Sequence, residues 1–223
     1  GFPLFGGRRL SVDGLLRRAD LAMYQAKAAG RNTQRFFDPD MQAAVNARSN
    51  LEADLRQGLA RGGLCVHYQP VVDHHARLVG VEALVRWPHP ERGMISPGDF
   101  IPLAEQTGLI LPLGQFVLQT ACEQLQRWSG HEATRNLSIA VNVSARQFRH
   151  PGFVEGVLQT LANCGANPTK LKLELTESLL LGDIEDTIAR MGQLKREGVG
   201  GGAGQLDPSA PALTGQESGR AAW

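Results

Sequence analysis

The chain has 223 residues, of which 42% are hydrophobic and 20% charged, and its formal net charge is +1. This composition is typical of a folded domain, and the near-neutral charge gives no reason to expect a nucleic-acid polymer or a membrane surface as partner. No apolar run approaches the roughly 18 residues of a membrane-spanning helix. The cysteines are odd in number and far apart, which favours free thiols in a reducing cytoplasm over a disulfide framework: Cys65, Cys122 and Cys164. We therefore expect a cytoplasmic chain, and its start at Gly1 suggests part of a longer protein.

Two helices are predicted in the first quarter of the chain. Apolar or small residues recur with helical spacing between residues 14 and 32, and Gly30 marks the end of that helix. A second stripe starts after Asp38-Pro39-Asp40 and continues to Gly62. We interpret residues 38–50, its first part, as a linker helix between two domains.

Strands and helices alternate after residue 63. Strands are predicted at 64–72, 78–86, 137–143 and 171–175, and helices follow the second, third and fourth of them. This alternation favours an α/β fold with a parallel sheet, of which the TIM-like (β/α)8 barrel is one form. A closed barrel needs eight strands. We therefore expect an incomplete barrel of about the first four strands, with a helical remnant before it.

The composition changes at Gly200. Residues 200–223 are rich in glycine and have no apolar period, so they cannot bury enough surface to offset the entropy of ordering them. We predict a disordered tail there. In that case the strand at 171–175 would be an unpaired apolar edge. Two copies could form a homodimer through that edge or through another surface of the second domain.

Charged and amide side chains interrupt the predicted strands. In the second strand Glu82 and Arg86 share one face, while Val81, Ala83 and Val85 share the other face, which we expect to be core. By the same alternation Val141 and Leu173 should face the helices in the later strands. A buried charge needs a partner, so Glu82 and Arg86 either form an ion pair or bind a ligand. Three further strand residues, Gln69, Asn142 and Glu174, would meet them at the carboxyl ends of the strands, the active-site face of such barrels. Carboxylate and amide oxygens suit Mg²⁺ or Mn²⁺.

Five segments resemble, in this order, the motifs of EAL domains, which are bacterial phosphodiesterases that linearise cyclic di-GMP. The resemblance covers about residues 51–199. The segments are Tyr68-Gln69-Pro70-Val71-Val72, Glu82-Ala83-Leu84-Val85-Arg86-Trp87, Phe100-Ile101-Pro102-Leu103-Ala104-Glu105, Val141-Asn142-Val143-Ser144 and Glu174-Leu175-Thr176-Glu177-Ser178.

The resemblance implies roles for six residues. Glu82, Asn142 and Glu174 match the family's metal-ligand positions, and the ion would be Mg²⁺ or Mn²⁺. Gln69 and Arg86 match positions that contact the substrate, cyclic di-GMP. Glu82 and Glu177 are the expected catalytic residues, with Glu177 steadying the loop that follows the fourth strand.

A second resemblance lies at the amino terminus. The segment from Ala19 to Lys27, with Gly30-Arg31-Asn32 after it, resembles the closing helix of GGDEF domains. Residues 1–37 would then be the end of such a domain. The signature sequence of that family is absent, so we assign no cyclase activity.

The chain departs from the EAL pattern after Val199. The family continues with an Asp-Asp-Phe-Gly-Thr-Gly loop. In this chain Asp207 is the only aspartate in residues 200–223, and the loop motif is absent. We therefore expect a truncated phosphodiesterase domain that does not hydrolyse its substrate. The alternatives are a non-catalytic module that binds cyclic di-GMP or another protein, and a decayed fragment without function.

Overall fold

A computed structural model describes residues 39–175 and 184–203, together with Leu16, Asp20 and Met23. The chain divides into two units, residues 1–54 and 55–223. In the first unit Leu16, Asp20 and Met23 are helical, while most of the predicted 14–32 helix lies outside the described residues. Helix α1, Pro39–Arg61, begins in the first unit and ends in the second.

The second unit alternates strands and helices, as the sequence predicts. Every predicted strand is present, and four short elements that were not predicted accompany them: Gly93–Ile95, Ala145–Phe148, the 3-10 helix Pro168–Lys170 and Gly200–Ala203. No helix in the described part of the chain is both long enough and apolar enough to cross a bilayer. The elements are β1 Cys65–Val72, β2 Leu78–His89, β3 Gly93–Ile95, α2 Pro97–Thr107, α3 Ile110–Ser129, β4 Ser138–Val143, α4 Ala145–Phe148, α5 Phe153–Cys164, the 3-10 helix Pro168–Lys170, β5 Leu171–Leu175, α6 Ile184–Arg196 and β6 Gly200–Ala203.

The strands form one open sheet in the order β1-β2-β4-β5-β6, and β3 pairs with the far end of β2. The predicted parallel arrangement is confirmed for β2, β4, β5 and β6. Strand β1 instead runs antiparallel to β2. The reason is the short connection at 73–77, because a parallel pair needs a crossover of a dozen residues or more. Within this turn Asp73 accepts hydrogen bonds from the backbone of His75 and Arg77.

Strand β6 corrects the prediction for the end of the chain. Its backbone pairs with β5 from Lys172 opposite Gly200 to Leu175 opposite Ala203. Residues 200–203 are therefore part of the sheet, and β5 is not its edge. The glycine-rich composition did not reveal this strand, because a strand ladder uses backbone N–H and C=O groups, which glycine also supplies. Residues 204–223 lie outside the described residues, and the homodimer stays a prediction.

One face of the sheet packs on helices. The side chains of Val85, Val141 and Leu173 are buried there, and Trp87 meets Phe100 edge to face with ring centroids 5.5 Å apart. These residues have the strand parity that the sequence analysis assigned to the core. The opposite face therefore holds Glu82, Asn142 and Glu174.

Strands β2 and β4 pack closely at Gly80, the register partner of Ser138. A Cβ atom at this position would lie 2.5 Å from both the carbonyl oxygen and the hydroxyl oxygen of Ser138. Real Cβ atoms do not come so close, so any side chain would push the two strands apart. The glycine thus permits the register that places Glu82 beside β4.

Gly80→Ala should destabilise the fold by about 1–3 kcal/mol, the usual cost of forcing an extra methyl group into a packed site. Thermal or urea unfolding measures this change. Gly156→Ala in α5 is the matched control, because a Cβ there meets nothing within 4 Å. The control should be neutral or stabilise the fold by up to about 1 kcal/mol. Equal stability of the two variants would contradict the close approach.

Candidate functional site

Four of the predicted site residues form a row across neighbouring strands. Gln69 on β1 lies directly opposite Glu82 on β2, and Asn142 on β4 lies beside Glu174 on β5. Glu82 is level with Ala140, two residues before Asn142. Adjacent strands are about 4.8 Å apart, and register partners share a face of the sheet. The row therefore collects residues that lie up to 105 positions apart in the chain onto one surface.

A short hydrogen bond connects the middle of this row. The Nδ2 of Asn142 donates to Oε1 of Glu82 over 2.7 Å, and both side chains are partly buried. Because Asn142 donates through its nitrogen, its Oδ1 remains available as an acceptor or a metal ligand. The bond also holds the Glu82 carboxylate toward β4, on the side where Glu174 lies.

The surroundings of Glu174 disfavour the ionised form of its carboxyl group. Partial burial raises the pKa of its carboxyl group above the ordinary value, and the negative charge of Glu82 raises it further. Lys172 acts in the opposite direction and lowers it. The two carboxylates are thus close enough to repel each other, an arrangement that a bound cation would relieve.

Arg86 is not the partner of Glu82. Its Nη1 donates to the backbone carbonyl of Val85 over 2.9 Å, and no ion pair joins the two side chains. Four residues separate them along one strand, a distance of about 13 Å at the usual rise. Of the two interpretations from the sequence, the structural ion pair is therefore wrong. Both charged groups are partly exposed on the face opposite the core.

The sequence analysis missed the residues that anchor the chain after Asn142. The side chain of Ser144 accepts from the backbone N–H of Gln147, and the side chain of Gln147 accepts from the backbone N–H of Ser144. Gly114 makes room for this capping box, since a Cβ there would lie 1.6 Å from Nε2 of Gln147. The Ser-x-x-Gln spacing is the signal that could have revealed it.

Glu177, the other expected catalytic residue, lies outside the described residues. Within the described ranges, no three His, Cys, Asp or Glu side chains gather as a metal site. The donor group observed here consists of two carboxylates and one amide, Glu82, Glu174 and Asn142.

Replacing Glu82 with Gln should lower the pKa of Glu174, because the substitution removes the neighbouring negative charge and leaves the burial unchanged. NMR titration of carbon-13-labelled glutamate side chains measures this pKa directly. Since the folded pKa is raised, ionised Glu174 destabilises the fold, and the wild type should lose stability as the pH rises through that pKa. The Glu82→Gln variant should lose less.

Glu155→Gln is the control for this titration, because Glu155 lies on the exposed surface of α5. It should leave the titration of Glu174 unchanged. An unchanged Glu174 pKa in the Glu82→Gln variant would contradict the proximity of the two carboxylates.

Comparison with known proteins bears on this site directly. Residues 52–202 match the EAL domain family. The chain is 43% identical over 203 residues to the bifunctional diguanylate cyclase/cyclic di-GMP phosphodiesterase MucR of Pseudomonas aeruginosa, covering 90% of this chain and 29% of that protein. It is 38% identical over 185 residues to the cyclic di-GMP phosphodiesterase PdeR of Escherichia coli, covering 83% of this chain and 28% of that protein. The chain thus spans less than a third of the length of these curated relatives.

Solved structures show the same similarity. The PaMucR phosphodiesterase in complex with c-di-GMP is 45% identical, with a TM-score of 0.65 over 69% of this chain and 62% of that chain. The EAL domain of FimX from Xanthomonas citri, in complex with c-diGMP, has the same fold at 22% identity, with a TM-score of 0.64 over 73% of this chain and 62% of that chain. The family match covers more than half of the chain and includes the whole row from Gln69 to Glu174. This chain therefore belongs to the EAL domain family.

Proposed function

We propose that the second unit forms the metal- and substrate-binding part of a cyclic di-GMP phosphodiesterase site. The row of Gln69, Glu82, Asn142 and Glu174 on one face of the sheet is the observation on which this proposal rests. Family membership and the names of the relatives support it. The reaction would be the hydrolysis of one phosphodiester bond of cyclic di-GMP to the linear dinucleotide.

The donors fit a hard divalent cation, Mg²⁺ or Mn²⁺. Glu82 and Glu174 offer carboxylate oxygens, and Asn142 offers Oδ1, since its Nδ2 donates to Glu82. The carboxylates of Glu82 and Glu174 repel each other, so a cation between them would relieve that repulsion. When bound, the ion would offset the negative charge of a phosphodiester and lower the pKa of a coordinated water.

Gln69 and Arg86 are the proposed substrate contacts. Gln69 is exposed on β1, directly opposite Glu82, where its amide group can hydrogen-bond a bound nucleotide. Arg86 uses one donor for the carbonyl of Val85, and its other guanidinium donors are suited to a phosphate. The proposed role of Glu177, which steadies the next loop, rests on the resemblance alone.

A second candidate function is binding of cyclic di-GMP without hydrolysis, and strand β6 favours it. The register partner of Glu174 on β6 is Gly202, and none of the residues from Gly200 to Ala203 has a side chain that could bind a metal. If the hydrolysis used two metal ions, as many phosphodiester-cleaving sites do, the three donor residues among the described ones, Glu82, Asn142 and Glu174, would be too few to hold both. We propose that this chain binds the nucleotide and turns it over at a negligible rate.

Metal binding should be weak, with a Kd on the order of 10⁻⁴–10⁻³ M, the weak end of the range for oxygen-ligand calcium sites, because few charged ligands are present. Isothermal calorimetry with Mn²⁺ measures it. Glu82→Gln and Glu174→Gln should each abolish the binding, because each removes one of only two charged donors. Glu155→Gln should not change it. Tight binding that persists in Glu82→Ala would show that the site lies elsewhere.

Incubation with cyclic di-GMP and Mn²⁺ should yield no linear dinucleotide by chromatography, while calorimetry should detect binding of the intact nucleotide. Arg86→Ala should weaken that binding at least tenfold, in keeping with about 1.5–3 kcal/mol for a charged hydrogen bond. Rapid hydrolysis would overturn the binding-only proposal and leave the family assignment intact. Loss of both activities in a well-folded chain would favour the fragment without function.

A further inference from the structure

We infer that Lys172 is a further residue of this site, whose ammonium group is the counter-charge of Glu82 and Glu174 and competes with a divalent cation for them. The inference rests on the proposed metal site and extends it to a residue that sets cation affinity. No motif in the sequence assigned a role to Lys172.

The register places Lys172 inside the row of site residues. It lies two positions before Glu174 on β5, on the same face of the sheet. Its register partners are Ala140 on β4 and Gly200 on β6. Because Ala140 is also the partner of Glu82, Lys172 and Glu82 are level with each other on either side of that alanine. The gap between them is two strand spacings, about 9.6 Å between backbones.

The small neighbours leave this gap open to a long side chain. Ala140 has one methyl group, and Gly200 has none. A Cβ at Gly200 would lie 3.3 Å from Cγ of Lys172, so a larger residue on β6 would crowd the lysine. A lysine stem has four carbons and can span the alanine, which lets its ammonium group approach either carboxylate.

Among the described residues, the one charged group on which Lys172 is seen to act is Glu174. The lysine side chain is exposed, and the structure gives it no hydrogen bond or ion pair within the described ranges. It does interact electrostatically with Glu174. Lys170, two residues earlier, donates instead to the carbonyl of Asn136, so it is engaged elsewhere.

Two consequences follow from Coulomb's law. Without a metal ion, the positive charge of Lys172 offsets part of the repulsion between Glu82 and Glu174. When a divalent ion binds, the same positive charge repels the ion and weakens its binding. Removing the charge should therefore weaken the metal-free fold and strengthen metal binding, a pair of opposite effects that a purely structural lysine would not produce.

The first test measures Mn²⁺ affinity by calorimetry at low ionic strength for the wild type, Lys172→Met and Lys172→Arg. Lys172→Met should bind Mn²⁺ about fivefold more tightly, as expected for removing one unit charge several ångströms from a divalent ion in a solvated site. Lys172→Arg keeps the charge and should match the wild type within twofold. Lys195→Met, at an exposed position on α6, is the control and should also match. Equal affinity of Lys172→Met and the wild type would overturn the inference.

The second test needs no metal and separates this inference from the proposed function. In EDTA, Lys172→Met should melt at a lower temperature than Lys195→Met, and the double variant Lys172→Met/Glu174→Gln should recover the melting temperature of Glu174→Gln. If the wild type binds no Mn²⁺, the proposed metal site is wrong. The melting temperatures then test the counter-charge role of Lys172 by themselves. A lysine substitution that lowers the melting temperature equally with and without Glu174 would reject the counter-charge role.

Discussion

The hydrogen bond from Asn142 to Glu82 is the interaction on which the site depends. A partly buried carboxylate costs free energy unless a donor stabilises it, and this bond, 2.7 Å long, supplies that donor from a strand 60 residues further along the chain. A hydrogen bond to a charged group is worth about 1.5–3 kcal/mol. It connects β2 to β4 on the ligand side of the sheet, and it turns the oxygen of Asn142 away from Glu82. The same contact thus joins the two strands and leaves the Asn142 oxygen free to accept another bond.

The surrounding fold places the two partners of this bond. Gly80 lets β2 and β4 pack closely two residues before Glu82, because any side chain there would meet Ser138. The capping box of Ser144 and Gln147 begins directly after β4, and Gly114 leaves space for the Gln147 side chain. Glu82 and Asn142 therefore lie on strands whose spacing and ends are determined by close packing.

The charged residues Glu82, Lys172 and Glu174 share one face of the sheet, and their charges influence one another. Glu174 has a raised pKa because it is partly buried and because Glu82 is near, and Lys172 moderates that effect. Two acids and one base thus lie on neighbouring strands, and their charges act on one another. Strand β6 completes the ladder beside Glu174 with Gly202, which adds backbone hydrogen bonds and no ligand. Strand β6 therefore supports the strand that carries Glu174 and adds no side chain to the site.

The sequence by itself determined the order of strands and helices, the core-facing parity of Val85, Val141 and Leu173, and the family, because these features depend on local periodicity and on short motifs. Only the tertiary structure decided that Glu82 is hydrogen-bonded to Asn142 and not paired with Arg86, since the register of β2 and β4 brings Asn142 beside Glu82. It also decided that Gly200–Ala203 pair with β5, because backbone pairing leaves no apolar pattern in the sequence. The raised pKa of Glu174 and the contact between Gly114 and Gln147 likewise arise between elements far apart in the chain, where only the packing of the sheet against its helices brings the groups together.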